Sequence, residues 1–289
     1  MKRLVGTTLI AISAASFGTL GIFGRYAYEE GMDTFTILFL RFGISALIMT
    51  AILFLRKESF PRGSILAQLA AMGGLGYVGQ SFCYLTATKY ASPGLVALLL
   101  YLYPFFVAIL SLTFLGEKLT RVKVTALVLA LIGTAFTVGP AGGQLAGILL
   151  AIAAALIYSV YIIIGANVMK HVSPVQSSAV IFASAGAVYG SLTVYNGAHF
   201  PLTDTGWLII LAIVLLSTVI PVVAFLAGLE RIGPINAAML STLEPVVTVL
   251  LAAWLFKDTL LPITLIGGGL ILIAVIMLTR SELRKDDGT

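Results

Sequence analysis

The chain has 289 residues, of which 60% are hydrophobic and only 10% are charged, and its formal net charge is +5. Soluble domains carry roughly 25% charged residues, so this composition excludes an ordinary soluble enzyme or binding domain. Apolar runs of about 20 residues follow one another, which is typical of a polytopic helical membrane protein. The single cysteine, Cys83, excludes a disulfide framework and a CxxC metal or redox site.

Hydropathy predicts ten membrane spans. In chain order they cover residues 4–24, 35–55, 65–88, 92–115, 121–138, 146–168, 177–195, 205–228, 234–256 and 262–279. The first apolar run follows Lys2 and Arg3, as in a signal peptide. We expect it to be retained, because it is long enough to cross a bilayer and its end matches the start of the second half of the chain.

A constant offset of 141 residues brings one half of the chain onto the other. The pairs include Phe17 with Tyr158, Gly24 with Gly165, Pro93 with Pro234, Leu102 with Leu243, Pro104 with Pro245, Leu110 with Leu251 and Leu119 with Leu260. We therefore predict two repeats, residues 1–141 and 142–289. Because each repeat has five spans, the second enters the membrane from the opposite side, and such inverted repeats are the architecture of secondary transporters.

The distribution of lysine and arginine predicts the orientation of the chain. With the N-terminus inside, thirteen of the 17 basic residues fall on inner segments, three fall on outer segments (Arg25, Lys89 and Lys257), and Arg41 lies within the second span. Both termini are therefore expected in the cytoplasm, with the chain in a bacterial or archaeal cytoplasmic (inner) membrane. The excess of positive charge is explained by this membrane topology, and it favours contact with anionic lipid rather than with nucleic acid.

Gly74, Gly76 and Gly79 form a GxGxxG pattern, but its context argues against a nucleotide site. The pattern lies in an apolar helix with no strand before it and no acidic residue about 20 positions later. We interpret these glycines, together with Gly18, Gly21, Gly24 and residues 267–269, as points where helix backbones approach closely. No cofactor and no metal site are predicted.

The fourth span and its repeat counterpart carry a family resemblance. Residues 93–119 and 234–260 each open with a small residue and a proline, contain a mid-span proline, and end in a polar exit, which is Glu117 and Lys118 in the first repeat and Lys257 and Asp258 in the second. With Arg41 and Phe42 in the second span, this pattern resembles the EamA-type unit of the drug/metabolite transporter superfamily, over the whole chain.

The resemblance implies an all-α membrane protein with ten transmembrane helices, arranged as two inverted five-helix repeats around a central cavity. The first four spans of each repeat would surround the cavity, and the fifth would brace its rim. The family moves small organic metabolites, often outward, so the resemblance limits the function to a substrate class.

Two charged residues within the spans are candidates for the substrate site. Glu244 is the acidic residue deep in the ninth span, where a charge is costly. It is either a proton-coupling or substrate-amine site, or a structural residue beside Pro245. Arg41 either contacts a substrate carboxylate or Glu244, or else reaches the outer interface or ties helices together.

Polar and aromatic residues on other spans complete the predicted site. The first choice is the face of the third span that carries Tyr77, Gln80, Ser81 and Tyr84. Tyr101, Tyr158, Tyr161 and Asn236 are further candidates, although tyrosines also form interfacial belts and neutral polar residues often link helices. Pro104 and Pro245 predict either hinges or fixed bends.

One acid and one base among neutral polar groups argue against polyanionic substrates. We expect a secondary carrier of amino acids or similar neutral or zwitterionic solutes, as an exporter or facilitator, with proton coupling left open. The alternatives are a multidrug, sugar or nucleoside carrier. A channel and an intramembrane enzyme are more remote alternatives, and the spans offer no catalytic constellation for the enzyme. The bilayer and a small solute are the expected partners, and the sequence leaves monomer or homodimer open.

Overall fold

A computed structural model describes residues 2–91, 93–138, 144–256 and 261–287. The boundary predicted between the repeats, as well as Lys257 and Asp258, lies outside the described residues. The described chain is helical: α1 Lys2–Phe17, α2 Leu20–Glu29, α3 Thr34–Leu55, α4 Gly63–Ala71, α5 Val78–Ala87, α6 Pro93–Leu100, α7 Tyr103–Phe114, α8 Arg121–Val138, α9 Leu145–Val168, α10 Pro174–Asn196, α11 Asp204–Val214, α12 Ile220–Leu240, α13 Glu244–Phe256 and α14 Pro262–Asp287.

The helices of the described chain fall into ten segments, which is consistent with the ten predicted spans. Seven segments of the described chain are long and apolar enough to cross a membrane. The longest, Asp204–Leu255, has 52 residues and is interrupted at Gly233, whose φ of 78° is non-helical, so it makes two crossings. The third span, residues 63–87, and the fifth span, α8, complete the ten. This arrangement agrees with the predicted all-α fold of two five-helix repeats.

The first, fourth and ninth spans are interrupted near their middles, and proline explains two of the breaks. Pro104 and Pro245 have no N–H, so the carbonyls of Leu100 and Ser241 lose their helical donors. Accordingly, α6 ends at Leu100, and a short 3₁₀ turn at Ser241–Leu243 precedes α13. The two breaks lie at repeat-related positions.

The third and eighth spans each contain a short π-helical segment. These segments are Met72–Tyr77 and Leu215–Val219, which nearly coincide under the 141-residue offset. A π segment inserts extra backbone into a helix and re-aims the side chains around it.

Helices from the two repeats pair across the molecule. The first span packs on the eighth and the third on the sixth, while the second packs on the seventh and the fifth on the tenth. The first two pairs are repeat-related, and the contacts agree in detail: a Cβ on Gly6 would lie 2.6 Å from Ile232, and a Cβ on Gly147 would lie 2.8 Å from Ala91. Glycine is thus required at the same place in both interfaces.

The principal core joins the second and seventh spans. Phe42 stacks on Tyr189 with 5.8 Å between ring centroids, and Phe182 packs at 6.0 Å from the same Phe42 ring. Phe42 and Phe182 are fully buried. This interface holds the repeats together beside the central cavity.

The structure corrects two details of the predicted spans. The first span continues to Glu29, so Arg25 lies in α2 rather than in an outer loop. The predictions of a close helix approach at Gly24 and Gly269 are wrong, since a Cβ on either would meet nothing within 4 Å. The closest approach on the third span is at Gly73, where a Cβ would lie 2.2 Å from the carbonyl oxygen of Ile181.

Candidate functional site

A cavity of about 990 Å³ lies between the first, second, third, fourth, sixth and ninth spans. Its volume is at the upper end of the range of roughly 300–1,000 Å³ that is typical of small-molecule sites. It runs from the mid-span breaks to the turn between α2 and α3, where Arg25, Tyr28, Glu29 and Thr34 line it. We call this end the mouth.

The break in the first span forms part of the cavity floor. Thr19 Oγ1 donates a hydrogen bond of 2.6 Å to the carbonyl of Ser16, and the backbone N–H of Ile22 bonds to Thr19 instead of Gly18. The freed carbonyl of Gly18 accepts a hydrogen bond of 3.1 Å from Thr248 Oγ1 in the ninth span. A side chain at Gly18 would crowd the backbone of Glu244, 3.1 Å away.

Glu244 is the first residue of α13 and lies on the cavity wall. Among the residues that the structure describes, no donor forms a hydrogen bond or salt bridge with its carboxylate. The carboxylate is therefore free to contact a cation or a proton in the cavity.

Arg41 is buried on the second span and is held in place by the eighth. Its Nε donates to Thr218 Oγ1 at 2.7 Å and its Nη2 donates to the carbonyl of Ser217 at 3.3 Å, both in the π-helical segment. The guanidinium carbon lies 4.9 Å from the centre of the Phe42 ring. Within the described chain Nη1 makes no hydrogen bond, and the residue lines the cavity. The helix-linking role and contact with the cavity thus coexist.

Tyrosines cover one wall of the cavity. Tyr77 makes an edge contact with Tyr161 at 5.3 Å, Tyr158 stacks on Tyr161 at 5.9 Å, and Tyr103 meets Tyr158 at 4.8 Å. These rings come from the third, fourth and sixth spans. They form a continuous aromatic surface with the hydroxyls as its polar points.

The structure brings eight of the ten predicted substrate residues to the cavity surface. These are Arg41, Tyr77, Gln80, Ser81, Tyr84, Tyr101, Tyr158 and Glu244. Tyr161 lies behind Tyr77 and Tyr158, buried as a second layer. Asn236 is buried away from the cavity, and its Nδ2 donates to the carbonyl of Ile232 at 2.6 Å. Pro245 lies on the cavity wall, and Pro104 lies buried in α7.

Several lining residues carry no sequence signal of their own. Phe17 and Gly21 beside the break in the first span, and Leu38 on the second span, are ordinary residues of apolar spans, yet all three line the cavity. Thr248 has a weak signal, because it lies one turn after Glu244 on the same helix face. Ser217 and Thr218 do not line the cavity but hold Arg41, and they have no sequence signal either. The π segment that presents them to Arg41 is not visible in the hydropathy pattern.

The cavity is closed at the end opposite the mouth. Tyr103 OH donates to the carbonyl of Ala238 at 3.3 Å, which joins the fourth and ninth spans below their breaks. Farther toward that end, Lys123 Nζ lies 3.7 Å from Glu117 Oε2, and a Cβ on Gly233 would meet Glu117 Oε1 at 3.0 Å. Among the described residues, the cavity lining extends to the mouth and includes none of these groups of the opposite end except Tyr103.

At the mouth, hydrogen bonds fix the turn between α2 and α3. Asp33 accepts hydrogen bonds from the N–H groups of Phe35 at 2.8 Å and Thr36 at 3.1 Å, as the N-cap of α3. Burial would raise the pKa of Asp33, but the hydrogen bonds from Thr36, Phe35 and His199 outweigh it and lower the pKa below 3.8. Asp33 is thus ionised at neutral pH.

Comparison with known proteins places this geometry in a family. The EamA-like transporter family matches residues 4–139 and again residues 145–280. An uncharacterized transporter of Archaeoglobus fulgidus is 29% identical over 277 residues, covering 95% of this chain and 96% of the relative. Uncharacterized transporter YcbK of Bacillus subtilis is 24% identical over 308 residues, covering 98% and 95%.

A solved crystal structure has the same fold. It superimposes with a TM-score of 0.83 and 23% identity, over 98% of this chain and 99% of the other. The two family matches follow the two repeats seen in the helix pairing, and they cover most of the chain. The chain belongs to the EamA-like transporter family.

Proposed function

We propose that this transporter carries amino acids or similar neutral or zwitterionic solutes by alternating access, as a secondary exporter or facilitator. The observation that supports it is one cavity with a guanidinium and a carboxylate on its inner wall, Arg41 and Glu244, in addition to the Arg25–Glu29 ion pair at the mouth, which was not predicted from the sequence. Arg41 and Glu244 form no salt bridge with each other in the described chain. Each therefore keeps bonding capacity for a group of opposite charge on a solute.

The proposal assigns complementary roles to the two charges. Arg41 is oriented by Thr218 and Ser217, so its remaining N–H groups can receive a carboxylate without a further loss of side-chain freedom. Glu244 can receive an ammonium group or a proton, and a proton-coupled carrier would use it for both in turn. Tyr77, Tyr84, Tyr101 and Tyr158 would contact the apolar part of the solute.

Alternating access would use the inverted repeats, residues 1–141 and 142–289. The breaks before Pro104 and Pro245 would act as hinges of the fourth and ninth spans. In the present state these spans meet below the breaks and part above them. The exchange of these contacts would close the mouth and open the other end.

We place the mouth on the outer side of the cytoplasmic membrane and both termini in the cytoplasm, on the basis of the lysine and arginine distribution. The protein would then be seen in an outward-facing state. Release of solute from this state corresponds to export.

The aromatic wall supports a second candidate, a carrier of amphipathic drugs or other neutral metabolites. A cavity of about 990 Å³ is larger than one amino acid requires, and its wall is mainly aromatic and aliphatic. Such a substrate would depend on the tyrosines and not on Arg41.

Counterflow into proteoliposomes distinguishes the two candidates. Vesicles preloaded with an unlabelled amino acid take up the same labelled compound, with a sugar, a nucleoside and a cationic dye as parallel substrates. We expect counterflow of amino acids alone. Counterflow of the dye that is retained in Arg41→Ala would favour the second candidate and contradict the zwitterion proposal.

A further inference from the structure

The second and seventh spans are related to each other by the repeat, so the two ends of their interface can be compared position by position. Under the 141-residue offset, Arg62 corresponds to Thr203 and His171 corresponds to Glu30. Thr203 and Glu30 lie at the mouth, whereas Arg62 and His171 lie at the opposite end of the bundle. Because the backbone is repeat-related at the two ends of this interface, a structural difference between the ends is due to the side chains.

At the mouth the related positions bond to each other and fill the space between the loops. Thr203 Oγ1 donates to Glu30 Oε2, and His199 Nδ1 lies 3.3 Å from Asp33 Oδ2. A Cβ on Gly206 would lie 2.7 Å from Pro201 and 3.3 Å from Glu30 Oε2. No room for a ligand is left between these groups.

At the opposite end, Arg62 and His171 line a surface cavity of about 440 Å³. Ile65, which corresponds to the crowded Gly206, also lines this cavity. Within the described chain the side chains of Arg62 and His171 form no hydrogen bond and no salt bridge. The guanidinium and the imidazole thus face an open cavity where the mouth has a closed contact.

Glu58, which directly precedes the lining residue Ser59, is already engaged. Glu58 Oε2 accepts a hydrogen bond of 2.5 Å from Ser173 Oγ, and Glu58 Oε1 lies 4.0 Å from Arg56 Nη1. Gln176 Nε2 donates to the carbonyl of Ser59 at 2.7 Å, which fixes the rim. The cavity therefore presents the guanidinium of Arg62 without a carboxylate partner in the described chain, on an ordered frame.

The surroundings of this cavity are apolar and exposed. Phe54 is 67% exposed and Leu55 is 83% exposed at the end of α3, and Phe60 lines the cavity with its ring 6.1 Å from that of Phe54. Exposed aromatic and aliphatic side chains at a span end are typical of the membrane interface. A ligand in this cavity would thus lie at the level of the lipid headgroups.

We propose that this cavity binds the phosphate of an anionic phospholipid headgroup. Arg62 would contact the phosphate oxygens as a charge-assisted donor, with His171 as a second donor, and Phe54, Leu55 and Phe60 would pack against the glycerol and the upper acyl chain. The bound lipid would bridge the loop before α4 and the loop before α10, as the Glu30–Thr203 contact does at the mouth.

Thermal unfolding of the purified full-length protein in detergent tests the site. We expect added phosphatidylglycerol to raise Tm by several degrees more than phosphatidylcholine does, and Arg62→Gln with His171→Gln to remove most of that excess. Lys170→Gln is the matched control, since it removes a charge beside His171 from a residue that does not line the cavity.

Native mass spectrometry provides a second measurement that does not depend on stability. The double variant should retain one phosphatidylglycerol fewer than the wild type and the Lys170→Gln control. Equal lipid retention and an equal Tm shift in all three proteins would overturn the proposal. If inorganic phosphate raised Tm as much as phosphatidylglycerol does, the site would bind free phosphate, and the lipid proposal would be overturned.

Discussion

The third and eighth spans occupy equivalent places in the two repeats, yet one faces the cavity and the other is packed. Gln80, Ser81 and Tyr84 line the cavity on the third span. Their counterparts on the eighth are Pro221, Val222 and Phe225, all of which are buried. Arg41 likewise corresponds to the fully buried Phe182. The polar chemistry of this transporter is therefore concentrated in the first repeat.

The scaffold does not share this asymmetry. The Gly6–Ile232 and Gly147–Ala91 contacts are repeat-related and equally close, and both repeats have the π segment and the proline break. The comparison teaches that the helix interfaces retained the two-fold plan while the cavity-facing side chains diverged. Substitutions in the two classes should thus affect different properties.

The largest expected effect comes from Arg41, whose counterpart is an apolar core residue. Arg41→Ala should lower the apparent affinity for an amino acid about 10–100-fold, as expected for the loss of a charge-assisted contact of roughly 1.5–3 kcal/mol. Competition against labelled uptake would measure it. The decarboxylated amine of the same amino acid is the control, and its affinity should change far less. Equal losses for both compounds would contradict a carboxylate contact.

The shared scaffold predicts matched losses of stability. Gly6→Ala and Gly147→Ala should each destabilise the protein by about 1–3 kcal/mol, because each added methyl would overlap the paired helix. Thermal unfolding in detergent measures both. Gly24→Ala is the control in the first span, where a Cβ meets nothing within 4 Å. A large effect in one repeat only would show that the two interfaces are not equivalent.

Reciprocal exchange of Ser81 and Val222 sharpens the comparison further. Ser81→Val should reduce transport with little change in Tm, because Ser81 lies on the cavity wall. Val222→Ser should lower stability by about 1–2 kcal/mol, since it places a hydroxyl in a packed interface. Tm and counterflow, measured on both variants, separate the two outcomes. The reverse pattern would mean that the cavity-facing side has been misassigned.

The smallest effect is expected at the mouth. Asp33→Ala should cost about 1 kcal/mol through loss of the N-cap of α3. The pKa of Asp33 is lowered in the folded state, so its contribution is present above 3.8 and is lost as the pH falls through the folded value. The difference in Tm between wild type and variant should therefore be constant near neutrality and shrink below about pH 4. A difference that grows on acidification would contradict this.

Much of the fold was accessible from the sequence because membrane burial imposes long apolar runs and the repeat imposes a fixed offset. Pro104 and Pro245 predicted their breaks through the missing N–H. The break in the first span was not predictable in this way, since Ser16, Gly18 and Thr19 are compatible with a continuous helix. It depends on a tertiary contact, the hydrogen bond from Thr248 to the carbonyl of Gly18.

The candidate site was partly accessible for a related reason. Charged groups and unsatisfied polar atoms inside spans are costly toward lipid, so Arg41, Glu244 and the hydroxyls of the tyrosines indicated the cavity. Asn236 gave the same signal, yet its side chain bonds to the backbone of its own helix. The sequence could not distinguish a polar side chain that faces the cavity from one that bonds to its own helix, because both arrangements keep the polar group away from lipid. The Thr218 and Ser217 partners of Arg41 depend on the π segment.

The most direct test of the account measures access to the cavity and its occupancy together. In a Cys83→Ala background, Leu38→Cys places one thiol on the cavity wall, and Leu202→Cys places one outside the cavity, at a 95% exposed position of the loop before α11. We predict that a membrane-impermeant maleimide added from outside labels both positions, and that a transported amino acid slows the labelling of position 38 without affecting position 202. Labelling from the cytoplasmic side alone, or at a rate that no transported solute changes, would contradict an outward-facing substrate cavity.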